Sequence, residues 1–146
     1  MGLKVQGEGT FAMTSDPLIA AAAAARAKAF APFSHFQVGA ALESLDGTIV
    51  PGCNVESASY GLTICAERAA IVRGVCDGFR CFKRVAVVTD TDIPTSPCGA
   101  CRQLLWEFAP DAEVLLANLR GDVVKYTVRE LIPHAFNSAN LANGTA

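Results

Sequence analysis

Two short clusters, Cys65-Ala66-Glu67 and Pro97-Cys98-Gly99-Ala100-Cys101, constrain this chain more than any other feature. Together they hold three thiols and one carboxylate, separated by enough chain for a strand and its connections. Three protein ligands with a fourth position open form the donor set of a catalytic zinc, whereas a structural zinc is closed by four. A fold that uses these thiols must bring both clusters to one point. The carboxylate beside the first thiol adds a group able to move protons at a metal-held water.

Local sequence predicts how the clusters meet. Thr63 stands two residues before Cys65, and Ser96 two before Cys98. Each hydroxyl is placed to cap a helix, so the cysteines are expected in the first turns of helices over 63–75 and 97–108. The N–H groups and positive end of a helix start favour thiolate. Cys98 and Cys101 share a face, which Leu104, Leu105 and Phe108 continue as an inward stripe. Side chains tilt toward the helix start, so Cys65 can reach the metal and Glu67 its water. Three thiolates around a dication leave net negative charge. Arg68 and Arg102, each following a cluster, are the candidates to offset it. Cys53, Cys76 and Cys81 read as core side chains, Cys76 continuing a Cys65, Ala69, Val72 face of the second helix. His35 and His134 have no partners at metal spacing and read as structural.

The rest of the chain reads as alternating strands and helices. Asp16-Pro17 opens an alanine-rich helix over 18–30 that stops at Ala31-Pro32. Strands follow over 37–43 and 48–55, joined by an Asp46-Gly47 hairpin turn. Beyond the first cysteine helix, residues 84–89 form a continuous β-rich run, apolar over 85–88, expected to be a strand buried on both faces. After the second cysteine helix come strands over 113–119 and 123–128, with a Gly121-Asp122 turn, and a short helix over 129–131. This order predicts an α/β fold, one mixed sheet covered by helices. The 146 residues suit a single domain over 1–146, with a loose arm over 1–15 and a frayed tail from 137.

Composition narrows the partners. The net charge of -2 provides no basic field for a nucleic-acid backbone, which points to a small neutral substrate. No apolar stretch is long enough to span a membrane. The N-terminus lacks the basic head and apolar core of an export signal. Six cysteines in such a chain read as reduced thiols or metal ligands, and the expected location is cytoplasmic. The surplus of small apolar residues hints at surface buried between subunits.

Three segments together resemble a known family: Ala31-Pro32-Phe33-Ser34-His35-Phe36-Gln37-Val38-Gly39-Ala40-Ala41-Leu42, Gly52-Cys53-Asn54-Val55-Glu56-Ser57-Ala58-Ser59-Tyr60-Gly61-Leu62-Thr63-Ile64-Cys65-Ala66-Glu67-Arg68, and Ser96-Pro97-Cys98-Gly99-Ala100-Cys101-Arg102-Gln103. The pattern resembles the small homotetrameric, zinc-dependent cytidine deaminases. The resemblance implies a three-layer αβα fold with a five-stranded mixed sheet. It implies Zn²⁺ held by Cys65, Cys98 and Cys101, with Glu67 as proton shuttle. It implies that Asn54 and Glu56 bond the ribose, Phe36 packs on the pyrimidine, and the Ala66 N–H reads the base edge. Phe136 matches an aromatic that reaches the base from a neighbouring subunit, and Ala58 and Tyr60 match a segment placed at another chain's site. The pattern departs at Phe33, where the family often has Tyr, and at Ser57, where it often has Asn.

The implied reaction is hydrolytic deamination of cytidine and 2′-deoxycytidine, with a zinc-activated water and release of ammonia. Two alternatives compete. A blasticidin-type or other nucleoside-analogue deaminase shares the zinc halves, but the Asn54-Val55-Glu56 segment argues against it. A non-enzymatic zinc module would need a fourth protein ligand, and no nearby Cys or His is well placed.

Overall fold

The structure, a computed structural model, describes residues 15–142. Its middle strand is the apolar run expected to be buried on both faces. This is β3 (Phe82–Thr89), in which every residue from Val85 to Thr89 is buried. Around it the chain runs α1 (Pro17–Arg26), β1 (Val38–Ser44), β2 (Ile49–Cys53), a 3₁₀ turn (Tyr60–Leu62) and α2 (Ala66–Cys76) before β3. After β3 come α3 (Gly99–Phe108), β4 (Glu113–Asn118), β5 (Val123–Thr127), α4 (Val128–Leu131) and α5 (Ser138–Ala142).

The five strands form one mixed sheet in the order β2-β1-β3-β4-β5. Only β3 and β4 are parallel, and α3 is the crossover between them. The β1–β2 hairpin turns at Gly47, whose φ of 90° is open to glycine at no steric cost. Two apolar clusters cover the two sheet faces. Leu18, Ile19 and Ala22 of α1 pack on Ala41, Ala86, Val88 and Leu115. Ala70 and Ile71 of α2 and Leu105 of α3 pack on Leu42, Val85, Val87, Val114 and Leu116. Successive β3 residues thus serve opposite clusters, as strand alternation requires. The result is a three-layer α/β/α fold. Among the described residues no helix is long and apolar enough to cross a membrane.

Several element boundaries differ from the sequence expectation, each for a local reason. Helix α1 ends at Arg26 rather than near Phe30, because Phe30 is drawn into a bridge with Val55. Phe30 N donates to Asn54 O at 3.0 Å, and Glu56 N donates to Phe30 O at 2.8 Å. The inner face of α2 is Ala66, Glu67, Ala70, Ile71 and Gly74. The predicted Cys65, Ala69, Val72, Cys76 face instead points outward, with Val72 and Cys76 exposed and Ala69 half-buried. Phasing the helix from Cys65 caused that error, since Cys65 precedes the first helical residue. Cys81 is also exposed and Cys53 only half-buried, so none of the three remaining cysteines is a fully buried core residue. The expected arm lies outside the described residues apart from Ser15. Within the expected frayed tail, Ser138–Ala142 form a single helical turn in which Ala139 N donates to Asn137 Oδ1 at 2.9 Å.

Candidate active site

Helices α2 and α3 start beside each other at the edge of one cavity. Cys65 is the N-cap of α2 and Cys98 the N-cap of α3, both in extended conformation. The predicted hydroxyl caps are absent. Thr63 Oγ1 accepts from Ser57 N at 3.3 Å, and Ser96 Oγ accepts from Arg102 at 2.7 Å. Cys101, one turn into α3, is buried and faces the same point.

The sulfurs of Cys65, Cys98 and Cys101 all lie within 4.8 Å of one another. Cys65 Sγ and Cys98 Sγ are 3.8 Å apart. A tetrahedral zinc with Zn–S bonds of about 2.3 Å requires sulfur–sulfur edges of about 3.8 Å. The donor set and its spacing therefore fit zinc, with three thiols and one open position.

Electrostatics prepare this point for a cation. The hydrogen bond from Cys101, followed by the Arg68 guanidinium and Cys98, lowers the Cys65 thiol to about 5. The same Cys65–Cys101 bond, together with burial, pushes Cys101 upward. Cys65 is thus ionised readily, and a bound dication would favour the thiolate form of Cys101 as well. Arg68 donates to Thr63 O at 3.0 Å and approaches Cys65 Sγ at 3.7 Å. Arg102, the second candidate for offsetting thiolate charge, does not reach a sulfur. It clamps the turn before α3, donating to Pro97 O at 2.8 Å, Leu131 O at 2.8 Å and Ser96 Oγ at 2.7 Å.

Glu67 follows in the first turn of α2 and is 4% exposed. Burial raises its pKa, helped by the Cys65 charge and opposed by hydrogen bonds and Arg68. Its carboxyl lines a cavity of about 270 Å³ together with Phe36, Asn54, Glu56, Cys65, Ala66 and Cys98. Ala66 is the first helical residue, so its N–H has no intrahelical acceptor.

The upstream residues arrive through the bridge between Phe30 and Val55. Asn54 is buried and ties down the segment before β1: its Oδ1 accepts from Val38 N at 2.8 Å and its Nδ2 donates to Phe36 O at 2.8 Å. The Glu56 carboxylate accepts from Phe33 N at 2.9 Å, Ser34 N at 3.2 Å and the Ser34 hydroxyl. The Ser34 hydroxyl leads in holding Glu56 below the usual carboxylate range. Glu56 is half-buried. Phe36 is 43% exposed at the cavity edge. Tyr60 and Phe136 do not line this cavity; they are 75% and 57% exposed. Tyr60 packs edge-on to Phe33, with ring centroids 5.9 Å apart.

Residues 13–117 match the family described as the cytidine and deoxycytidylate deaminase zinc-binding region. The chain belongs to that family. It is 50% identical over 131 residues to the cytidine deaminase of Sporosarcina psychrophila, covering 89% of this chain and 96% of that protein. The crystal structure of cytidine deaminase from Burkholderia pseudomallei is similar with a TM-score of 0.81 and 51% identity, covering 85% of this chain and 100% of that one. The blasticidin-S deaminase of Bacillus cereus is 38% identical over 104 residues, 66% of this chain and 74% of that protein.

The cavity of this deaminase-family chain also contains Ser34, Val38, Thr63 and Ser96, which stand within the motif segments but were given no place in the site, and Val87, Thr89 and Thr95, which lie outside those segments. Val87 and Thr89 were findable, since they share one face of β3 and Thr89 ends that strand at the level of the site. Thr95 lies on a loop without regular structure, and no periodicity marks it.

Proposed function

We propose that this chain deaminates cytidine and 2′-deoxycytidine hydrolytically, giving uridine and 2′-deoxyuridine with release of ammonia. One observation carries the reading: three thiols at zinc spacing meet at one cavity, whose wall includes two of them, Cys65 and Cys98, together with the buried Glu67 and the polar side chains of Asn54 and Glu56. Cys65, Cys98 and Cys101 hold the zinc, which when bound lowers the pKa of a water toward neutrality.

The protein's own groups do the rest. Glu67 takes one proton of the attacking water and passes it to ring N3; it then takes the remaining proton from the new C4 hydroxyl and gives it to the amine, so that the C4 carbonyl forms as ammonia leaves. Burial raises its pKa toward the working range, as a group that serves as base and then acid requires. Arg68 offsets the surplus negative charge of the sulfurs. The Ala66 N–H bonds the base edge, and Phe36 packs against the pyrimidine ring.

Hydrogen-bond counting supports Asn54 and Glu56 as ribose partners. An amide side chain has two donors and two acceptor sites. Asn54 spends one of each on the backbone and keeps one of each for the ligand. A carboxylate has about four acceptor sites, and Glu56 leaves room for a ribose hydroxyl after three bonds to the Phe33–Ser34 turn. Buried or fixed polar groups left unpaired by a free base penalise it relative to a nucleoside.

The assembly we infer is a homotetramer with shared sites. Phe33, Tyr60, Leu62 and Phe136 are exposed apolar side chains, and another copy of the chain would cover them. In that arrangement Tyr60 and Phe136 serve a neighbour's cavity, consistent with their distance from their own. Six free cysteines suit a reducing compartment such as the cytoplasm.

The similarity to a blasticidin-S deaminase supports a second reading, the same chemistry on that nucleoside analogue. Initial rates on cytidine, blasticidin S and a short cytosine oligonucleotide decide between them, followed by ultraviolet absorbance with and without a zinc chelator. Cytidine is expected to turn over fastest, and chelation to stop the reaction. Preference for either other substrate overturns the cytidine assignment.

A further inference from the structure

Between β3 and α3 the chain runs from Asp90 to Cys98 without helix or strand, and this loop carries Thr95, Ser96 and Cys98 to the cavity. Irregular backbone at a site must be fixed by side chains. The two ends of this loop are fixed separately. At the metal end, Arg102 grips Pro97 O and Ser96 Oγ. The other end is held by hydroxyls.

Thr89, which is buried and lines the cavity, places its Oγ1 2.8 Å from Thr91 Oγ1 and donates to Thr95 Oγ1 at 3.1 Å. Thr91 Oγ1 lies 3.1 Å from Thr95 Oγ1 and donates to Ile93 O at 2.7 Å. Each hydroxyl has one proton and two lone pairs. With the Thr91 proton on Ile93 O and the Thr89 proton on Thr95 Oγ1, the Thr95 proton is left for Thr91 Oγ1, so two of the three contacts are hydrogen bonds and every proton has an acceptor. The cluster satisfies itself without a ligand.

A second anchor stands behind it. Asn118, at the end of β4, is 0% exposed and uses its whole amide. Its Nδ2 donates to Asp92 O at 3.1 Å and Asp122 Oδ2 at 2.8 Å, and its Oδ1 accepts from Arg120 N and Asp122 N, each at 3.0 Å. Arg120 also pairs with Asp92. The β4–β5 turn is thereby tied to the middle of the loop.

We propose that Thr89, Thr91, Thr95 and Asn118 are positioning residues, which together fix the 90–95 stretch so that it presents a set wall to the bound nucleoside. The proposal rests on the cavity being the nucleoside site. Because Arg102 and the start of α3 hold the metal end independently, loosening the hydroxyl cluster acts on substrate affinity rather than on zinc.

The test uses the full chain with zinc and three variants, Thr89→Val, Thr89→Ser and Asn118→Asp. Zinc content, KM and kcat for cytidine, and amide hydrogen exchange across 90–96 are measured for each. Valine keeps the shape and removes the hydroxyl. It is expected to raise KM about fivefold, the size of one net hydrogen bond, with zinc retained, kcat little changed and faster exchange in 90–96. Serine restores the hydroxyl and the wild-type KM. Asn118→Asp loses both Nδ2 donors, to Asp92 O and to Asp122 Oδ2, and sets two carboxylates together outside the cavity; it is expected to speed exchange over 90–93 and raise KM in the same direction. Unchanged KM in both Thr89→Val and Asn118→Asp, or a serine variant as impaired as valine, overturns the proposal. A wild-type chain inert toward cytidine sinks the functional reading instead. Exchange needs no turnover, so unchanged exchange in 90–96 still overturns the positioning role in that case.

Discussion

Replacing Gly52 by alanine is expected to disable the site by displacing functional side chains without altering any of them chemically. Gly52 lies on β2 directly against α2, the helix that carries Glu67. A Cβ there would stand 2.4 Å from Ala70 N, 2.7 Å from Ala66 O and 2.9 Å from Ala70 Cα. All three are backbone atoms, so no rotamer change relieves the clash. Ordinary contact starts near 3.4 Å, and the helix and strand must part by about 1 Å to reach it. Either partner that moves takes part of the cavity with it. Ala66 and Glu67 travel with α2, while Asn54 follows directly after β2. A misplacement of about 1 Å costs on the order of a hundredfold in rate, and overpacking of this kind costs about 1–3 kcal/mol of stability. The assays are kcat/KM on cytidine by ultraviolet absorbance, thermal melting and zinc content. A Gly52→Ala chain that folds and binds zinc with kcat/KM within about threefold of wild type would refute the claim that this contact sets the site geometry.

Further outcomes follow from the same geometry. Glu67→Gln is expected to keep zinc and lose about a thousandfold or more in kcat; near-normal turnover would remove Glu67 from the mechanism. Arg68→Gln is expected to weaken zinc about 10- to 100-fold in a chelator competition, whereas Arg102→Gln lowers melting temperature with a smaller change in zinc affinity, because its partners are backbone carbonyls and Ser96. Asp16→Asn keeps an equally good helix cap but loses the ion pair with Arg84. Burial pushes Asp16 up, yet the Arg84 hydrogen bond and charge and the Leu18 N–H outweigh it and hold the pKa below 3.8. A depressed folded-state pKa stabilises above the unfolded value and fades as pH falls through the folded one. Urea unfolding should therefore find Asp16→Asn weaker at pH 7 and the gap closing below about pH 4; a gap independent of pH would show that the pair contributes nothing.

The sheet was legible because its information is local. The Val85–Thr89 run had to be a doubly covered strand, and Gly47 and Gly121 mark the two hairpin turns with φ of 90° and 96°. The sulfur cluster was legible because two cysteine motifs at helix starts leave few ways to meet. Other features depend on contacts between distant segments, and the sequence carries no period for them. Phe30 fits an alanine-rich helix by propensity, but pairing with Val55 outweighs that preference. The roles of Arg68 and Arg102 could not be separated by position, since each follows a cysteine motif. Only the packing shows that one faces sulfur and the other faces backbone. The threonine cluster was hidden for the same reason: Thr89 and Thr95 come together only once the loop has folded back.

The helix starts show what the site costs the fold. Outside it, α1 is capped by Asp16 accepting from Leu18 N, and α4 by a reciprocal Thr127–Glu130 capping box. The two helices that form the site begin on Cys65 and Cys98, and neither side chain bonds a helix N–H. A serine or aspartate cap contributes about 1 kcal/mol per helix, and the two nearest hydroxyls, on Thr63 and Ser96, have other partners. The stability forgone at both starts leaves free N–H groups and two positive helix ends at one place, which is the arrangement that holds anions. Here the group placed to use it first is the Cys65 sulfur. The lowered Cys65 pKa has its own causes, the bonds from Cys101, Arg68 and Cys98 and the Arg68 charge, and the uncapped helix starts add to them a place that favours negative sulfur.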